Sequence, residues 1–129
     1  MNTEECRKKL DILTEKIIGC CFTVASTLGN GFLEKVYENA LCHELQKSGL
    51  SVVQQCPVKV VYDGVTVGDY IADIIVDELV IVELKAVKIL DNVQREQCLN
   101  YLKAKNVSLC LLVNFGSPRI EIKRIVHGF

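Results

Sequence analysis

The sequence predicts an α/β chain of the α+β type, with elements in the order α-α-β-β-β-α-β-β. Three observations carry the prediction. Apolar residues recur at helical spacing as far as Leu45, the period falls to two between Val52 and Lys85, and a capped helical stretch after Asp91 leads into two further strand-like segments. Periods of 3.6 and 2 each place one set of side chains on one face, so the change of period marks a change of element.

In chain order, Thr3 is a candidate cap for a helix with Glu4 and Glu5 in its first turn and Leu10, Leu13, Ile17, Cys20, Cys21, Val24 and Leu28 as its apolar stripe. Gly29-Asn30-Gly31 breaks it. A second helix is expected from about Phe32, with Leu33, Val36, Tyr37, Ala40, Leu41 and Leu45 on one side and Gly49 as the residue after its C-terminus. Val52, Val53, Val58, Val60 and Val61 then read as a strand running to Asp63-Gly64, a strong hairpin turn signal. The return strand starts at Val65, with a kink expected at Gly68, and Asp77 and Glu78 form the next turn, which completes a three-stranded meander. Asp91 caps a helix reaching Lys105, with Gln94 at the capping-box position and Val93, Cys98, Leu99 and Leu102 as its apolar members. Val107 to Phe115 reads as a buried strand and Arg119 to Val126 as an alternating one, joined by Gly116-Ser117-Pro118.

With 129 residues, 50% of them hydrophobic, the chain is expected to form one domain, residues 1–129, that buries its own core. The formal charge of -1 excludes a broad basic field, so any nucleic-acid contact has to be local. Seven scattered cysteines, no CxxC pair and two histidines argue against a disulfide framework and against zinc. A reducing, cytoplasmic setting is the expectation, with no membrane association, because the N-terminus is charged and no apolar run is long enough to span a bilayer. Neither His43 nor His127 has a cysteine arrangement that suggests a thiol nucleophile.

The stretch Gly68–Ala86 concentrates the chemistry. Its two apolar runs, Ile71–Val76 and Leu79–Val87, are interrupted by Asp73, Glu83 and Lys85, at places where an ordinary core strand carries valine. An ionised side chain inside a buried strand costs several kcal/mol unless it is paired, metal-bound or neutralised. With a loop from Asp77 to Leu79, Asp73 faces Glu83, and Glu83 and Lys85 share a face because they are two residues apart. Two carboxylates and an ammonium then converge; the plain alternative is a salt bridge on a half-exposed sheet face. Gln97 and Tyr101 are one turn apart on the third helix, which also suits an ordinary polar face. Glu34, in the first turn of the second helix, suits the helix dipole without any further role.

Gly31-Phe32-Leu33-Glu34-Lys35-Val36-Tyr37 resembles the signature of the small GxxExxY proteins. The resemblance continues through Ala72-Asp73, Val82-Glu83-Leu84-Lys85-Ala86, Gln97-x-x-Asn100-Tyr101-Leu102 and Leu112-Val113-Asn114-Phe115-Gly116, and so covers nearly the whole chain. That family lies within the PD-(D/E)xK nuclease superfamily, and the resemblance implies a restriction-endonuclease-like core with a mixed central sheet flanked by helices. It also implies roles. Glu34, Asp73 and Glu83 would be metal ligands, with the Leu84 carbonyl a further one, and oxygen-only ligation suits Mg²⁺ or Mn²⁺. Lys85 would orient or deprotonate the attacking water or stabilise phosphate charge, Gln97 would align Lys85 or that water, and Tyr101 would support the site or touch the nucleic-acid backbone. Two departures stand out: Ala72 occupies the place of the proline that names the superfamily, and histidines that relatives carry near Ala25 and Gln94 are absent.

The function these resemblances imply is a metal-dependent nuclease, with DNA favoured over RNA as substrate. The rival class is a non-catalytic nuclease-fold binding or assembly module. A 129-residue chain offers little surface to grip a duplex, so a homodimer or another protein partner is the expected complement.

Overall fold

The computed structural model describes residues 2–128. Its elements are α1 (Thr3–Leu28), α2 (Glu34–Lys47), β1 (Val52–Tyr62), β2 (Val65–Val76), β3 (Val80–Lys85), α3 (Asn92–Lys105), β4 (Leu109–Asn114) and β5 (Glu121–Val126), in the predicted order. They build an α+β fold with a mixed five-stranded sheet ordered β1-β2-β3-β4-β5. Neighbours are antiparallel except β3 and β4, which are parallel from Val80↔Leu109 to Lys85↔Asn114. A parallel pair needs a long crossover, and α3 supplies it.

Helices cover both sides of the sheet centre. On one side Leu10, Ile17, Tyr37 and Leu41 of α1 and α2 pack on Ile74, Val76, Val80, Val82, Leu84, Leu109, Leu111 and Val113. On the other, Cys98 and Leu102 of α3 pack on Ile75, Ile81, Cys110, Leu112 and Ile125. Burial on both faces is why β3 and β4 read as apolar runs rather than alternating ones. Glu83 is the exception within β3, since it is buried yet ionisable.

The local signals explain most boundaries. Asp91 accepts from the Val93 and Gln94 amides, and the Gln94 side chain accepts from the Asp91 amide in return, so the expected capping box starts α3. At the start of α1 the cap is Asn2, which accepts from the Glu5 amide at 2.8 Å; Thr3 is already helical. α2 begins at Glu34, slightly later than expected, and Leu33 precedes it without a side-chain cap. Asp63 and Gly64 both have positive φ, 52° and 75°, which is what a tight hairpin turn requires. The irregularity expected at Gly68 is a bulge next to it: Val60 pairs with Gly68 and Val61 with Thr66, leaving Val67 as the extra residue.

Two features fix the end of β3. Asn114 is fully buried and uses its whole amide: Oδ1 accepts from the Val87 and Gly116 amides, while Nδ2 donates to the Val87 carbonyl and to Glu121. Gly116 lies against this same segment, and a Cβ there would sit 2.4 Å from the Val87 nitrogen and 2.5 Å from the Ala86 carbonyl carbon. Together they hold the chain leaving β3 against the end of β4.

Candidate active site

The ladder between β2 and β3 runs Val76↔Val80, Ile75↔Ile81, Ile74↔Val82 and stops there. One step further the strands are joined through acidic side chains. The Asp73 amide donates to Glu83 Oε1 at 3.3 Å, and the Leu84 amide donates to Asp73 Oδ2 at 2.9 Å. The expected facing of Asp73 and Glu83 is therefore present, and each carboxylate reaches backbone on the opposite strand.

This pairing is electrostatically tense. Glu83 is only 5% exposed, and burial, followed by the neighbouring Asp73 charge, pushes its pKa up to about 9 from an ordinary 4.5. When Glu83 holds a proton, it hydrogen-bonds with Asp73. Two carboxylates this close resist ionising together, because each negative charge raises the cost of the other.

Lys85 stands two residues beyond Glu83 and is half-buried. Its ammonium makes no ion pair with Asp73 or Glu83 among the described residues, so the cluster is not a closed salt bridge. The Lys85 carbonyl accepts from the Phe115 amide at 2.9 Å. Near the lysine, a hydrogen bond with Cys110 lowers the pKa of the Cys98 thiol, with the Lys85 charge assisting, and the same bond raises that of Cys110 well above the ordinary range.

On α3, Tyr101 faces the carboxylates: burial and then the charge of Glu83 raise its pKa. Its ring stacks on Tyr70 of β2 with centroids 3.7 Å apart and planes 16° apart. Sequence reasoning missed Tyr70. Its pKa is also raised, by burial first and then by Glu83, and its buried hydroxyl has no hydrogen-bond partner among the described residues. The two rings border a groove of about 680 Å³ that also contains Asn100 and Lys103. Gln97 lies one turn before Tyr101 and is exposed, with no hydrogen bond to the described residues.

Glu34 is exposed in the first turn of α2. Tyr37, three residues later, stacks on Phe115 at 4.6 Å, which sets this turn at the sheet end where Lys85 lies. No group of three His, Cys, Asp or Glu side chains among the described residues is arranged to hold a metal ion. The acid that α2 buries is Glu38, which binds Lys35 at 2.9 Å and accepts from Gln54 and Gln55. A sequence signal for it existed, since Glu38 adjoins Tyr37 on the stripe continued by Leu41 and Leu45.

The donor set fits a hard divalent cation. Mg²⁺ is commonly held by one or two carboxylates, with water and substrate phosphate filling the other positions, and a cation here would offset the burial and the Asp73 repulsion that raise the Glu83 pKa. Asp73, Glu83 and the Leu84 carbonyl offer oxygen only. Among the described residues, no helix is long and apolar enough to cross a membrane. A family model described as the PD-(D/E)XK nuclease superfamily matches residues 11–125. No curated protein and no solved structure matches the chain.

Proposed function

The chain belongs to the PD-(D/E)XK nuclease superfamily, and from that membership we propose that it is a metal-dependent phosphodiester hydrolase of the GxxExxY type, cleaving DNA in preference to RNA. One observation carries the reading: Asp73 and Glu83 meet where the β2–β3 ladder ends, and Lys85 beside them has no ion-pair partner among the described residues. A structural ion pair would have used that lysine.

Asp73 and Glu83, with the Leu84 carbonyl, would hold Mg²⁺ or Mn²⁺, and Glu34 from α2 would be the further carboxylate ligand. The cation, when bound, contributes charge neutralisation at the phosphate and a more acidic water. Lys85, two residues from Glu83 on the same face, orients the attacking water and stabilises charge developing on the phosphoryl oxygens. Gln97 donates to that water or to the substrate, and its exposure leaves its amide open for this. Tyr101, clamped by Tyr70, forms the wall of the groove and keeps Lys85 and Glu83 out of bulk water.

A second reading, a non-catalytic nuclease-fold binding or assembly module, is favoured by the finding that no three His, Cys, Asp or Glu side chains among the described residues are grouped to hold a metal. Titration calorimetry of Mg²⁺ and Mn²⁺ into the wild type and the Asp73→Asn/Glu83→Gln double variant, followed by cleavage assays on single-stranded DNA, duplex DNA and RNA, separates the two. Nuclease action predicts binding and cleavage that are both lost in the double variant. Metal binding with no cleavage of any substrate supports the module, and absence of metal binding refutes the metal-dependent site.

A further inference from the structure

The β1–β2 hairpin extends past the rest of the sheet. β3 pairs only with Ile74–Val76 of β2, so from Asp73 to the tip β2 has β1 as its strand partner. On the side facing α3 this ribbon is partly covered, with Val58 and Ala72 buried and Tyr70 stacked on Tyr101. Alternation puts Pro57, Lys59 and Val61 of β1, and Asp69 and Ile71 of β2, on the other side, and register adds Thr66 opposite Val61. All six are exposed. The apolar members are open to water to an unusual degree for a strand, with Val61 60% exposed and Ile71 55% exposed.

The pattern on this face is self-complementary. Pro57 pairs with Ile71, Lys59 with Asp69, and Val61 with Thr66 just past the bulge. An opposite-charge rung therefore sits between an apolar rung and a rung of two β-branched residues, Val61 and Thr66. Lys59 and Asp69 are cross-strand neighbours, yet they form no ion pair with each other or with any described residue. Both charged groups remain available to a partner.

We propose that this ribbon face is the docking surface for a second copy of the chain, in an isologous dimer whose two-fold axis runs parallel to the strands. Rotation about that axis exchanges left and right across the ribbon while preserving position along it. Lys59 then meets the partner's Asp69, and Asp69 the partner's Lys59. Pro57 falls on Ile71 and Val61 on Thr66. A two-fold axis running across the strands would instead set lysine against lysine, so charge selects the arrangement. Strands lie about 4.8 Å apart, so a two-stranded face is narrow. It buries less than the roughly 1,200 Å² of a standard stable interface, and the dimer is transient and concentration-dependent. This inference does not depend on catalysis.

The test is sedimentation velocity on the full chain, from about 1 to 100 μM, the range in which weak complexes assemble. The wild type is expected to move from monomer toward dimer. Lys59→Glu alone gives two acids on the rung and Asp69→Lys alone gives two lysines, so each variant repels its own copy and its dissociation constant rises at least tenfold. Mixing the two variants in equal amounts restores dimer, because acids on one chain meet lysines on the other. Val61→Lys, which leaves the charged rung intact, also weakens the dimer, and melting curves check that each variant is folded. A wild type that stays monomeric throughout overturns the proposal and leaves the face to a different partner. Dimers that survive both single reversals, or a mixture that stays monomeric, overturn it equally.

Discussion

Glu83→Gln tests whether the buried carboxylate is a stored cost in the metal-free protein. Because the folded pKa is pushed up to about 9 from an ordinary 4.5, the native state binds more protons than the unfolded chain between those values. Stability is then greatest below the unfolded pKa and declines as pH rises through the window. Each pH unit inside it removes up to about 1.4 kcal/mol. From pH 5 to pH 7 the wild type should therefore lose up to about 3 kcal/mol from this one group. Glutamine cannot ionise, so the variant lacks that slope. Urea unfolding of both proteins in chelator, at pH 5, 6, 7 and 8, gives the comparison, with free energies from linear extrapolation. The variant should gain on the wild type at each step upward, and Mg²⁺ should return stability to the wild type at pH 8 but not to the variant. A difference between the two proteins that stays constant from pH 5 to pH 8 would refute the reasoning, since it would mean that Glu83 is ionised throughout.

The other predictions concern groups around the pair. Lys85→Met should keep metal affinity within about threefold while slowing cleavage by roughly 10²-fold or more, the usual scale for a positioned proton-transfer or charge-stabilising group; calorimetry and a turnover assay on the same sample check it, and loss of metal binding would assign Lys85 a structural role. Tyr70→Phe removes the unpartnered buried hydroxyl and should stabilise the metal-free protein by about 1 kcal/mol; a clear destabilisation in urea would show that the hydroxyl has a partner. Asn114→Ala leaves the Val87 amide and carbonyl without their side-chain partner and should cost about 2–4 kcal/mol. A fall of less than about 1 kcal/mol, the size of one ordinary hydrogen bond, would mean the segment after β3 is not held from β4.

Much of the fold was legible because local and long-range preferences agree. Asp91 and Gln94 satisfy the first amides of α3 whatever lies around them, and Asp63-Gly64 adopts the positive φ pair at little cost. Where the prediction slipped, two residues competed for one job. Asn2 and Thr3 can both cap α1, and the side chain that reaches the Glu5 amide is Asn2. At the bulge, Gly68 drew attention as the flexible residue, but the ladder shifts beside it, where Val67 is left unpaired in register. The ribbon's exposed valines were legible as a strand and not as a surface, because a period of two does not say which face finds a helix to cover it.

The site was legible along the chain and much less so across it. Asp73 and Glu83 could be set opposite each other because one short turn fixes the register between adjacent antiparallel strands, and only a shift in that turn could have separated them. Glu34 has no such constraint. It comes from a helix whose placement depends on packing of Tyr37, Leu41 and Leu45, and the same packing that buries Tyr37 turns Glu38 inward and leaves Glu34 in solvent. Tyr70 was hidden for the opposite reason: on β2 it reads as one more β-forming aromatic, and its significance arises only when α3 crosses over and sets Tyr101 against it. The crossover that makes β3 and β4 parallel is thus also what roofs the carboxylates with two aromatic rings. Burial on that side raises the cost of two ionised carboxylates, and the same low-dielectric setting increases what a divalent cation gains by lying between them. A chain that only needed a stable sheet would carry valine at position 83, as β3 does at Val80 and Val82. The retained acid makes physical sense if the metal-bound state is the one in which this protein works.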